Sequence, residues 1–95
     1  MKPYLLKEEE IKELGAKISD WEIHPKYIER NIIFKNFIDA FSFMTKVALL
    51  AEKYNHHPNW ENVYSQVRIK LFTHDLGGIS NLDHVMASEI NNLLE

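Results

Sequence analysis

At 95 residues, 45% of them hydrophobic, the chain has enough apolar material for one compact domain with a modest core. A formal net charge of −3 supplies no basic stripe to neutralise phosphates, so direct nucleic-acid binding is not expected, and the absence of cysteine excludes disulfides, thiolate catalysis and cysteine zinc sites. No apolar run is long enough to cross a bilayer and the start, "MKPYLLKEEE", has too short an apolar core for a signal peptide, so the expectation is a single cytoplasmic domain over residues 1–95.

The first element is a helix from about Lys7 to Ile18, with Ile11, Leu14 and Ile18 on one stripe and Glu8, Glu9 and Glu10 where the helix dipole favours anions. "DWEIHPKYIERNIIF" reads as a hairpin of two short strands, Trp21 to His24 and Tyr27 to Phe34, interrupted at His24-Pro25 because proline removes a ladder donor. From Asn36 to Tyr54 the period becomes helical, and Phe37, Ala40, Phe41, Met44, Val47, Ala48 and Ala51 form the expected core face. Phe43, Leu50 and Tyr54 lie about 100° further round by helical geometry. They widen the apolar arc beyond what one sheet requires, which leaves open a deeper seat in the fold or a subunit interface.

Val63 to Thr73 alternates, with Val63, Val67, Ile69 and Leu71 on one face and Tyr64, Gln66, Arg68, Lys70 and Phe72 on the other, and so predicts one long half-buried strand. Gly77-Gly78 turns the chain. Ser80 and Asp83 then make a capping box for a last helix carrying Leu82, Met86, Ile90 and Leu93. The order helix, strand, strand, helix, strand, helix predicts an α+β fold: an antiparallel sheet of three to four strands with helices packed on one face.

Five histidines remain to be placed. His24 and His84 have the look of surface side chains. His56 and His57 follow the long helix, which Pro58 brings to an end by disfavouring helical geometry at the residue before it. His74 continues the parity of the polar strand face and is not expected in the core, while Glu52 occupies the last helical turn, an unfavourable end for an anion. Together these groups can meet in a cleft. A metal site is disfavoured because adjacent side chains diverge and the H-E-x-x-H spacing is absent. Acid–base catalysis needs only groups that titrate near neutrality, and a free imidazole does so at about pH 6.5.

"FKNFIDAFSFMTKVALLAEKYNHHPNWENVYSQVRIKLFTH" resembles the pterin-4a-carbinolamine dehydratases, whose pattern of an acidic residue, His-His-Pro, an aromatic, a further histidine and an aspartate is filled by Glu52, His56, His57, Pro58, Tyr64, His74 and Asp83. The likeness runs from about Trp21 into the last helix. It implies dehydration of a 4a-hydroxytetrahydropterin to quinonoid dihydropterin in tetrahydrobiopterin recycling, with no cofactor and no metal. By the same resemblance His56 and His74 are the acid and base, and His57, Glu52 and Trp21 bind the pterin. Asp83 is accounted for by its capping position. Asn55 and Leu82 stand where animal members usually carry aspartate and arginine. A homodimer or homotetramer is also implied. The alternatives are a protein-interaction module that stabilises a transcription-factor dimer, using Phe43 and Leu50, and a role in molybdopterin metabolism.

Overall fold

The structure, a computed structural model, describes residues 1–95. The elements are α1 (Glu8–Lys17), β1 (Glu22–Ile23), β2 (Ile28–Ile33), α2 (Phe37–Tyr54), β3 (Asn59–Val63), β4 (Gln66–Leu71), a single 3₁₀ turn (His74–Leu76) and α3 (Asn81–Leu93). The strands form one antiparallel sheet in the order β1-β2-β4-β3. Val67, Ile69 and Leu71 of β4 and Ile28 of β2 are buried under the helices with Leu14, Val47, Met86 and Ile90. The opposite sheet face carries the pairs Arg68–Glu61 and Lys70–Glu29 and a Gln66–Asn31 hydrogen bond, with Ile33 and Val63 exposed at one end. This is the expected α+β layer. No helix is long and apolar enough to cross a membrane.

Local signals set the helix ends. Asn36 accepts from the Asp39 backbone N–H to start α2, and Ser80 and Asp83 form the reciprocal capping box of α3. These bonds satisfy donors that the first helical turn leaves without intrahelical partners.

Two expectations are corrected. The run Val63 to Thr73 is not one strand: the chain reverses at Tyr64-Ser65, so that Val63 pairs with Gln66 across a two-residue turn. The turn contains no glycine. Tyr64 itself takes the left-handed conformation, φ 52°, while the Asn62 carboxamide donates to the carbonyls of Tyr64 and Gln66 and holds the reversal closed. The reversal also changes the parity, leaving Val63 69% exposed while Val67 is fully buried.

The second correction is the rotation of α2. Phe37 and Phe41, read as core, are 41% and 53% exposed, Ala48 is exposed too, and Phe43 is only 5% exposed. Ala40, Met44, Val47 and Ala51 belong to both possible faces, so the helical period alone leaves the phase open. Packing decides it. The Phe43 ring lies 5.0 Å from that of Phe34, and the Tyr54 hydroxyl reaches Glu89 of α3 at 2.9 Å. The face left outside carries Phe37, Ile38, Phe41 and Leu49.

Candidate active site

The end of α2 sends its two histidines in opposite directions. Asn55 takes the left-handed conformation at φ 49°, a role asparagine tolerates better than most residues, and its N–H caps the carbonyls of Ala51 and Glu52. His56 N–H then closes back on the Ala51 carbonyl at 3.0 Å. From this turn the His56 ring enters the protein and meets Asp83 on α3, whereas the His57 ring folds back along the last helical turn to Glu52. Asn55, the departure from aspartate, thus has a conformational reason to be there.

The two imidazole–carboxylate pairs differ in setting. His56 Nε2 lies 2.5 Å from Asp83 Oδ1 with both side chains at most 10% exposed. His57 Nε2 lies 2.6 Å from Glu52 Oε2, with exposures of 57% and 77%. The first is a buried pair that must be fully hydrogen-bonded to be tolerated. It is. Asp83 Oδ2 accepts from Thr73 Oγ1 at 3.0 Å and from the Ser80 N–H at 2.8 Å, and the hydroxyls of Thr73 and Ser80 are themselves 2.5 Å apart. The second pair is held in water, where screening makes it a weak tether.

His74 arrives from the end of β4 rather than from α2. Strand β4 ends at Leu71, and the segment after it is closed by paired backbone hydrogen bonds between Thr73 and Gly78, with Gly77 left-handed at φ 72°. His74 therefore opens a tight turn rather than ending a strand, and its ring stays exposed. Asn55, His56, His57, Phe72, Thr73, His74 and Asp75 line one open cavity of about 260 Å³. Phe72 and His74 also border a neighbouring cavity of about 270 Å³, with Lys26, Tyr27, Gly77 and Gly78. Three imidazoles thus border one open space.

Trp21 is placed elsewhere. It is 4% exposed in the core, its indole N–H donates to Asn91 Oδ1 at 2.8 Å, and it is not among the residues lining the histidine cavity. Asn91 Oδ1 also accepts from Arg30 Nη1 at 2.6 Å, which makes this a polar lock between β2 and α3. Asp83, explained by capping alone in the sequence, caps α3 and grips His56 at once. Thr73 carries no signal in the sequence beyond its place beside His74. Nowhere do three or more His, Asp or Glu side chains cluster as a metal would require. His24 pairs with Glu22 and stacks on Tyr27 at 4.4 Å, and it does not line the cavity that holds the three histidines. His84 is also outside it, with its pKa lowered by burial and by the nearby Lys17 charge.

Comparison with known proteins adds a family. The sequence profile described as pterin 4 alpha carbinolamine dehydratase matches residues 4–93. A protein of Prochlorococcus marinus subsp. pastoris with the provisional name pterin-4-alpha-carbinolamine dehydratase is 67% identical over all of this chain and 99% of its own length. A Synechococcus relative with the same provisional name is 49% identical over 94% of this chain and 96% of its own length. A crystal structure from Brucella melitensis, described as a transcriptional coactivator/pterin dehydratase, superposes with a TM-score of 0.93 at 37% identity, covering 97% of this chain and all of that one.

Proposed function

Because the chain belongs to the pterin 4 alpha carbinolamine dehydratase family, we propose that it dehydrates a 4a-hydroxytetrahydropterin to the quinonoid dihydropterin and water, as a step of tetrahydrobiopterin recycling. The bond between C4a and the hydroxyl oxygen breaks with its electron pair leaving on oxygen, the N5–H proton leaves, and the N5–H bonding electrons become the new C4a–N5 double bond. One group must protonate the departing hydroxide and another must take the N5 proton, work suited to a pair of imidazoles, each of which can give or accept a proton. His56 and His74 are assigned that pair of roles. His57, steadied by Glu52, is assigned the binding of the pterin ring. Trp21, buried in the core and absent from the cavity lining, is assigned to the fold rather than to the ligand.

The observation that carries this reading is the opening of His56, His57 and His74 onto one cavity, with two of the rings already oriented by carboxylates. A positioned proton carrier contributes roughly 10²–10⁴ in rate. The purified chain should accelerate quinonoid product formation from chemically generated carbinolamine, followed by absorbance against the spontaneous reaction. Excess chelator should leave that rate unchanged. No acceleration would sink the reading, and loss of activity on chelation with stoichiometric zinc in the protein would replace proton transfer by metal chemistry.

A homo-oligomer is part of the same proposal. The expected contact residues Phe43 and Leu50 are seated against the core, so the exposed face of Phe37, Ile38, Phe41 and Leu49 takes their place. Contiguous apolar residues on a helix of a small domain favour association. Light scattering should report a dimer or tetramer at micromolar concentration, and Phe41→Glu should shift it towards monomer. A wild-type monomer would remove the argument. The same face favours the second reading, a protein-binding role, which the description of the Brucella neighbour also supports. That reading predicts normal folding and assembly without acceleration of carbinolamine dehydration.

A further inference from the structure

The polar side chains beneath the cavity form a closed set with one carboxylate at its centre. Asp83 is fully buried, its Oδ1 is taken by His56 Nε2, and its Oδ2 is taken by Thr73 Oγ1 and the Ser80 N–H. Thr73 directly precedes His74, and its backbone closes the turn that presents His74. One carboxylate therefore binds His56 directly and, through its hydroxyl, the threonine that precedes His74.

The same geometry distinguishes the two nitrogens of His56. An ionised carboxylate only accepts hydrogen bonds, so the nitrogen facing Asp83 must carry a proton. In the neutral ring that leaves Nδ1 bare. Nδ1 has no hydrogen-bond partner within the chain, yet no sealed side-chain nitrogen or oxygen of this molecule lacks one. Nδ1 is thus open to solvent, and the solvent space that His56 borders is the cavity.

We propose that Asp83 and Thr73 are positioning residues, that they lock neutral His56 in the Nε2–H tautomer with Nδ1 aimed into the cavity, and that His56 is the base of the reaction. On proton abstraction the N5–H bond breaks and an Nδ1–H bond forms. The resulting imidazolium lies against the Asp83 carboxylate, which stabilises it as it develops. His74, exposed and without a side-chain hydrogen bond in the chain, is left as the acid that protonates the departing hydroxide. The role in catalysis rests on the dehydratase reading, whereas the tautomer does not.

Nitrogen-15 NMR of the ligand-free protein separates the two. In its neutral ring, His56 should show a protonated Nε2 and a bare Nδ1, whether or not the protein turns over carbinolamine. A proton on Nδ1 with a bare Nε2 overturns the proposal. In Asp83→Asn the amide can offer an N–H to Nε2 and shift the proton to Nδ1, so kcat should fall by roughly 10²–10⁴ while KM changes little. Should that variant fold poorly, Thr73→Val and Thr73→Ser decide the second half. Valine removes the donor to Asp83 and should lower kcat, and serine restores the hydroxyl and should recover it. Equal kcat in Thr73→Val and wild type overturns the claim that Thr73 positions either histidine. An inactive wild type with the expected tautomer would instead refute the dehydratase reading and leave the positioning of His56 standing.

Discussion

A variant combining His56→Gln with His74→Ala should dehydrate carbinolamine at close to the uncatalysed rate. Each imidazole, as a proton carrier in the transition state, accounts for roughly 10²–10⁴ of the acceleration, so the singles should lose rate and the double should lose nearly all of it. Because carbinolamine also dehydrates spontaneously, single losses will read at the low end of that range. Glutamine is the better replacement at position 56. It keeps an N–H for Asp83, a fully buried carboxylate, but cannot carry a proton at neutral pH. Alanine there would leave the carboxylate short of one of its donors, and breaking a buried pair costs about 3–5 kcal/mol. His57→Ala should behave differently, raising KM while leaving kcat nearly intact, since that is the signature of a group that binds the ground state and the transition state equally well. Steady-state kinetics on variants shown to be folded by circular dichroism provide the check. Near-normal turnover by the folded double variant would remove both histidines from the chemistry.

Ile69→Ala should lower the stability of the fold by about 2–5 kcal/mol, whereas Val63→Ala should change it by less than about 0.5 kcal/mol. Both residues lie in a stretch that alternation alone assigns to one strand face. In the structure Ile69 is 0% exposed on β4, with Arg30 and Trp60 opposite it on the flanking strands, while Val63 is 69% exposed at the end of β3. Removing the Ile69 side chain forfeits its transfer free energy and leaves a cavity that a central strand cannot close. For a chain of this size each kcal/mol is worth about 4–8 °C in Tm. Urea unfolding at one fixed protomer concentration measures both variants, because association would otherwise shift the apparent stability. Equal losses at the two positions would contradict the hairpin at Tyr64-Ser65.

What the sequence determined by itself lies within a few residues of its own cause. The capping box of Ser80 and Asp83, the start of α2 at Asn36, the end of that helix before Pro58 and the buried run Val67, Ile69, Leu71 all follow from contacts between near neighbours. Spacing along the chain encodes such contacts directly, since a helix brings together residues three and four apart and a strand alternates every second one. The contacts that only folding establishes involve partners far apart in the chain. His56 meets Asp83 across 27 residues and Trp21 meets Asn91 across 70. The first contact gives a capping residue a second task, and the second draws a tryptophan away from the cavity. The phase of α2 and the reversal at Tyr64 belong here as well. Four residues of α2 suit either apolar face, and Tyr64-Ser65 has no glycine, proline, asparagine or aspartate to mark a reversal, Ser65 being its one weak signal. Both choices were settled by burial against β4 and α3 and by the Asn62 carboxamide, energies that exist only once the sheet and helices are assembled.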